Sequence, residues 1–208
     1  AQSALIRAAR SFWNVPDGAA VLPTPGASAP IAMIPRLMQA GRVHISAPTY
    51  NEHAASFAAA GWVQASQPNE ADAQVIVHPN NPDGRLFTSA DLHAPLRVMD
   101  ESFCDVMPDA SLMGQSTTEG TLILKSFGKF WGLAGVRLGF VIGDPALIAQ
   151  LQQMLGPWPV AGPALEIATR ALQDPQWASQ TRQRLTTDAT RLDALFQNAG
   201  AQLLGGTT

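Results

Sequence analysis

Ser126-Phe127-Gly128-Lys129-Phe130-Trp131-Gly132-Leu133-Ala134-Gly135-Val136-Arg137 is the stretch on which the reading of this chain turns. It follows the apolar run Leu122-Ile123-Leu124, which reads as a strand, and it sets one lysine among glycines and aromatics with an arginine eight residues on. Working outward, four more turn segments sit in the same relation to an apolar run. Asp100-Glu101-Ser102-Phe103 follows Leu96-Arg97-Val98-Met99, and Pro79-Asn80-Asn81-Pro82-Asp83-Gly84 follows Val75-Ile76-Val77. Pro48-Thr49-Tyr50 follows Val43-His44-Ile45, and Pro25-Gly26-Ala27-Ser28 opens a helix after Ala20-Val21-Leu22. All five lie where parallel strands would end, which is where open α/β sheets bind ligands.

The alternation of short apolar runs with helical stretches predicts an α/β fold with a largely parallel sheet. A helix is expected from Ser28 with Ile31, Ile34, Leu37 and Met38 on one face, and another from about Asn51 to Ala60. Leu138-Gly139-Phe140-Val141 is a further strand. Thr88 to Ala94 leaves only a cramped crossover before the strand at Leu96. After Gly143 the chain turns helical. Asp174 and Pro175 form an N-cap and N1 pair, Gly200 a stop, and Trp177, Leu185, Leu192 and Phe196 share a stripe between them. Ala201-Gln202-Leu203-Leu204 reads as the first strand of a further unit.

The bulk properties exclude several classes. At 208 residues, 46% hydrophobic and 14% charged, the chain has material for a sizeable core and too little charge for disorder. Its net charge is -3 and it has no run of Lys and Arg, so neither nucleic acid nor an anionic membrane is an expected partner. No apolar stretch approaches the ~20 residues of a membrane span. The single cysteine, Cys104, rules out an intrachain disulfide, favours a reducing, cytoplasmic setting, and reads as a small buried residue. The first residues lack the basic-then-apolar pattern of a secretion signal, and a first residue other than Met leads us to expect that the natural chain starts further upstream. His44, His53, His78 and His93 show no metal-ligand spacing, so no metal is expected and they receive no role.

Taken singly, each candidate residue has an ordinary explanation. Lys129 could be a solvated loop lysine, Asp100 a helix cap, Asn81-Pro82-Asp83-Gly84 a plain turn, Ser28 an N-cap, Tyr50 an edge aromatic and Arg137 half of a surface ion pair. Their joint order argues otherwise. The chain from roughly Val15 to Thr208 resembles the fold type I pyridoxal-phosphate enzymes, the class I/II aminotransferases, in the order phosphate loop, stacking aromatic, Asn-Pro turn, Asp, Lys, Arg.

The resemblance implies a three-layer α/β fold with a mostly parallel mixed sheet. It implies a cofactor-binding large domain over residues 1–174, with 175–208 a connecting helix and the start of a small C-terminal domain that is largely absent. It implies pyridoxal 5'-phosphate as cofactor, with Lys129 forming the imine. A lysine amine can condense with an aldehyde and serve as base when its site favours the neutral form. Asp100 matches the carboxylate that keeps the pyridine nitrogen protonated. Tyr50 matches the aromatic stacked on the ring, and Asn81 the donor to its ring oxygen. Ala27, Ser28, Ser126 and Arg137 match the groups around the phosphate. Two positions depart from the usual pattern: Phe103 stands where Tyr is common, and Gly128 where Ser often is.

Residues 126–140, Asp100-Glu101-Ser102-Phe103 and Val15-Pro16-Asp17-Gly18-Ala19-Ala20 are similar to the threonine-phosphate decarboxylases of cobalamin biosynthesis. That likeness implies loss of CO2 from L-threonine O-3-phosphate, a small phosphorylated amino-acid substrate, giving (R)-1-amino-2-propanol O-2-phosphate. It also implies a homodimer. Histidinol-phosphate or related amino-acid aminotransferases are the nearest competitor, and a non-catalytic effector-binding module on the same fold is a third possibility.

Overall fold

The computed structural model describes residues 1–207. Seven strands form one sheet: β1 (Ala20–Thr24), β2 (Arg42–Ile45), β3 (Val63–Gln64), β4 (Ala73–Val77), β5 (Leu96–Asp100), β6 (Thr121–Ser126) and β7 (Gly139–Gly143). Their order across the sheet is β1-β7-β6-β5-β4-β2-β3. β3, β2, β4, β5 and β6 pair in parallel, and β7 runs antiparallel to both β6 and β1. The sheet is therefore mixed and mostly parallel, as the alternating pattern predicted.

Both faces of the sheet are covered, and so β4, β6 and β7 read as continuous apolar runs. Six helices do the covering: α1 (Gln2–Phe12), α2 (Ser28–Met33), α3 (Asn51–Ala59), α4 (Pro145–Leu155), α5 (Gly162–Leu172) and α6 (Pro175–Asn198). On one face Ile76, Met99, Ile123, Phe140 and Ile142 pack with Leu5 and Ala9 of α1, Ala168 and Leu172 of α5 and Ala178 of α6. On the other, Val75, Val98, Leu122, Leu124 and Val141 pack with Ile31 of α2, Phe57 of α3 and Ile148 and Leu151 of α4. The result is three layers, helix, sheet, helix.

The same alternation sorts the charged residues. Asp100 and Ser126 share the parity of Val98 and Leu124 and so belong to the α2–α3–α4 face; Lys125 shares that of Ile123 and belongs to the α1–α5–α6 face. β5 and β6 thus end by handing consecutive polar residues to opposite sides, Asp100 and Glu101 at the end of β5, Lys125 and Ser126 at the end of β6.

Several elements differ from the expectation. The helix from Ser28 stops at Met33 and tightens into a 3-10 turn over Ile34–Arg36. Pro35 has no N–H and clashes with the carbonyl four residues back. Ile31 and Ile34 are buried, whereas Met38 is 37% exposed and lies outside any helix. The cramped crossover holds one 3-10 turn, Ser89–Asp91, closed by a capping box between Thr88 and Asp91. Ala201-Gln202-Leu203-Leu204 is not a strand: the segment has no ladder partner. α1 was not foreseen, although Leu5, Ala8 and Ala9 give it a buried stripe. The long final helix does begin at Pro175, with the Asp174 carboxylate accepting from Trp177 N at 2.9 Å. Its stripe is only partly used, since Leu192 and Phe196 are more than half exposed.

Candidate active site

β1, β2, β4, β5 and β6 all end on one edge of the sheet, and reversed β7 begins there. The segments that leave and enter this edge carry every residue singled out from the sequence. Ala27, Ser28, Tyr50, Asn81, Asp100, Ser126, Lys129 and Arg137 line a single cleft of about 710 Å³, counted with its open mouth. Ile31, Val77, Ser102, Phe103, Gly128 and Ala134 complete its wall.

Asp100 is the floor. It is 3% exposed, and an isolated carboxylate in such a place would be very costly. Three donors hold it. Ser102 Oγ and Ser102 N donate to Oδ1 at 2.5 and 3.0 Å, and His53 Nε2 lies 2.8 Å from Oδ2. An ionised carboxylate only accepts, so the Nε2 proton belongs to His53. Burial opposes the charge, but the His53 bond and the Ser102 donors outweigh it and hold the carboxyl below its ordinary value. His53 is itself 1% exposed, and the Tyr50 ring meets it edge-on with centroids 6.0 Å apart. Burial, with Glu52 and Asp100 nearby, pushes the Tyr50 hydroxyl above its usual range.

The end of the cleft around Arg137 is built differently. Thr24 Oγ1 donates to Gly26 O at 2.9 Å and shapes the turn before Ala27. A Cβ on Gly26 would fall 2.7 Å from Arg137 Nη2, so the guanidinium rests directly on that backbone. Arg137 holds a left-handed backbone (φ 54°, ψ 50°), a strain of about 1–3 kcal/mol for a residue with a side chain. Gly139 matters for the same turn. A Cβ there would lie 2.7 Å from Ala27 N, 2.7 Å from Gly26 C and 2.9 Å from Lys125 O. Ser126 Oγ accepts from Gly128 N at 3.2 Å, and Lys129 Nζ sits over the Phe103 ring, 5.2 Å from its centroid. On the far wall, Asn80 ties the loops together through Thr49 Oγ1 (2.6 Å), Pro48 O (2.9 Å) and Asp83 Oδ1 (2.7 Å), which steadies the turn that presents Asn81.

Beneath the sheet lies a second charged cluster. Lys125 Nζ is 2.8 Å from Glu101 Oε2 and 3.4 Å from Asp105 Oδ1, with all three side chains buried. Ser111 Oγ and Leu112 N satisfy Glu101 at 2.7 and 2.6 Å; the Trp13 and Trp131 indoles donate to Asp105 at 2.8 and 2.9 Å. Burial disfavours both charges of the Glu101–Lys125 pair, yet their mutual attraction lowers the Glu101 carboxyl and raises the Lys125 amine. Burial and the same acids push the Cys104 thiol up to about 12, so it stays protonated at neutral pH. His78, Glu101 and Cys104 converge here. The histidine is already bonded at both nitrogens, to Phe87 N and Ala110 O, which makes the cluster structural.

His53 and Ser102, which received no role from the sequence, are the residues that the fold brings onto Asp100. Residues 63–208 match the family model for aminotransferase class I and II. The chain belongs to the class I and II aminotransferase family. Within that family it is 40% identical over 204 residues to a threonine-phosphate decarboxylase from Pseudomonas aeruginosa, covering 90% of this chain and 62% of the relative. It is 37% identical over 219 residues to a threonine-phosphate decarboxylase from Sinorhizobium sp, covering 97% and 65%. Among solved structures, the histidinol-phosphate aminotransferase from Sinorhizobium meliloti in complex with pyridoxal-5'-phosphate superposes with a TM-score of 0.83 at 19% identity, covering 99% of this chain and 64% of that one. The chain thus spans less than two thirds of the length of these relatives, and at 19% identity the last comparison speaks for the fold alone.

The donor set of this aminotransferase-family cleft suits pyridoxal phosphate. It offers a buried carboxylate for a ring N–H, an amine for an aldehyde, and a guanidinium, a hydroxyl and a glycine-lined turn for a phosphate.

Proposed function

We propose that the full-length protein is a pyridoxal-phosphate enzyme that decarboxylates L-threonine O-3-phosphate to (R)-1-amino-2-propanol O-2-phosphate, a step of cobalamin biosynthesis. One observation carries the cofactor reading: a 3% exposed Asp100, held by His53 and Ser102, at the floor of the cleft that also holds Lys129 and Arg137. The likeness to two threonine-phosphate decarboxylases supports the choice of substrate. When bound, the cofactor supplies an aldehyde to hold an amine and a protonated ring to take up the electron pair of a bond broken at the α-carbon.

The chain's own groups have distinct duties in this reading. Lys129 Nζ would hold the cofactor through its aldehyde and, once free as an amine, would be placed to carry a proton to the substrate α-carbon. Asp100 keeps the ring nitrogen protonated, and His53 and Ser102 keep Asp100 ionised. Tyr50 and Asn81 line the same cleft and would serve, the one as an aromatic surface for the ring, the other as a donor to its oxygen. Arg137, Ser126 Oγ and the N–H groups of Ala27 and Ser28 receive the phosphate. Ile31 and Ala134 form part of the cleft wall.

The reading includes a division into a cofactor-binding large domain, 1–174, and a segment, 175–208, that comprises a connecting helix and the start of a small C-terminal domain. The Asp174–Pro175 break before α6 supports it. It also includes a homodimer and a cytoplasmic setting. No helix among the described residues is long and apolar enough to cross a membrane. The test is CO2 release from L-threonine O-3-phosphate by the full-length protein, run beside 2-oxoglutarate-dependent amino transfer. Amino transfer without CO2 sinks the decarboxylase in favour of an aminotransferase. Borohydride reduction with peptide mapping checks the cofactor site: fixation away from Lys129 refutes the assignment.

A further inference from the structure

A carboxylate has two oxygens with about two accepting directions each, and at Asp100 these can be counted. Ser102 uses both directions of Oδ1, one from its hydroxyl at 2.5 Å and one from its amide at 3.0 Å. His53 uses one direction of Oδ2 at 2.8 Å. One accepting direction is left, and it belongs to Oδ2. Asp100 and Ser102 both line the cleft, while His53 approaches from α3 behind it.

We infer that Ser102 is a positioning residue: by saturating Oδ1 it directs a cationic ring N–H in the cleft to Oδ2, the oxygen already shared with His53. The inference rests on the cofactor reading above. It adds a consequence for His53. Two donors competing for one oxygen each receive less of its charge, so loading the cleft weakens the His53 bond while the Ser102 bonds keep their length. A ring N–H arriving at Oδ1 would instead have to displace Ser102 from a short, charge-assisted bond.

The experiment uses the full-length protein with pyridoxal phosphate and its S102A and S102T variants, the second retaining the hydroxyl. Borohydride mapping is done first and shows whether the cofactor sits on Lys129. Crystal structures of the loaded wild type are expected to place the ring nitrogen within hydrogen-bond distance of Oδ2 and outside it from Oδ1. In solution, the His53 Nε2–H resonance of 15N-histidine-labelled protein is expected to move on loading in wild type and S102T. It should move less in S102A, where Oδ1 has regained a free direction. A ring nitrogen on Oδ1, or equal His53 shifts in wild type and S102A, overturns the inference and leaves the cofactor reading standing. Cofactor fixed elsewhere than Lys129, or not bound, overturns both.

Discussion

Replacing Gly139 with alanine tests whether the Gly26–Ala27 turn, proposed to receive the cofactor phosphate, is held in place by the absence of one side chain. The added Cβ would meet Ala27 N and Gly26 C at 2.7 Å, where ordinary contact begins at 3.4 Å. The turn must therefore retreat from β7 by about 0.7 Å, more than the ~0.5 Å within which a binding constellation stays productive. The obstacles are backbone atoms inside a ladder, since Gly139 pairs with Thr24 on one side and Ser126 on the other. No side-chain rotation relieves them. Overpacking of this kind costs about 1–3 kcal/mol, which for a chain of this size is a fall in melting temperature of roughly 2–12 °C. Losing one charge-assisted contact to the phosphate costs about 1.5–3 kcal/mol, or about 10- to 150-fold in affinity. Differential scanning calorimetry reads the first and absorbance titration with pyridoxal phosphate the second. G139A that melts with wild type and binds the cofactor within threefold of it would refute the claim that the Gly26–Ala27 turn is seated on β7.

Other perturbations reach other parts of the molecule. His53→Ala leaves a buried carboxylate oxygen without its donor and is expected to destabilise the fold by about 1–3 kcal/mol, read by urea unfolding; an unchanged midpoint denies the His53–Asp100 bond. Lys125→Met strips two buried acids of their counter-ion and should cost about 3–5 kcal/mol, against less than that for a double replacement that also removes the Glu101 charge. Asp174→Ala removes the cap of α6 and should lower stability by about 0.5–2 kcal/mol, seen as a lower melting temperature. The pH dependence has a defined sign. Asp100 and Glu101 lie below their ordinary values when folded, so their contribution is complete above about pH 5 and is lost as pH falls through the folded values. Lys125 is raised, so its contribution is complete below about pH 10 and is lost at higher pH. Urea midpoints should hold steady between these limits; a midpoint that rises on acidification contradicts the buried ionised pairs.

Much of this was legible in the sequence because it is encoded locally. A strand announces itself by apolar runs, and the turn after it by Gly, Pro and Asn, so the segments at the site edge could be located, while the family resemblance singles out the residues within them. Asp100, Lys129 and Arg137 are grouped by the order of the motifs that carry them, and the strand order brings them to one cleft. His53 was not legible. It meets Asp100 across 47 positions of chain, and nothing in Tyr50-Asn51-Glu52-His53 marks which face of α3 will touch β5. Lys125 was hidden for a similar reason. After Leu122-Ile123-Leu124 a lysine looks like a solvated strand end, and only the arrival of Glu101, Asp105 and two indoles makes burial tolerable. The early end of α2 was legible in principle from Pro35, but apolar periodicity continued past it and was the stronger pattern to the eye. Residues 201–204 show the converse: apolar content suits a strand, yet a strand exists only where another offers its edge.

The placement of unlike acids at consecutive positions has a consequence for how the chain finds its register. Asp100 faces the cleft and Glu101 the opposite layer; on the neighbouring strand Ser126 and Lys125 divide the same way. Shifting β5 or β6 by a single residue would exchange the members of each pair. Glu101 and Lys125 would enter the cleft, and Asp100 would be pressed among the apolar side chains of α1 and α5 without His53. Neither error can be absorbed cheaply, because a buried charge tolerates only its own partner. The ion pair under the sheet thus penalises a slip of β5 against β6: the native β5–β6 register that brings Lys125 to Glu101 is also the one in which Asp100 lies in the cleft.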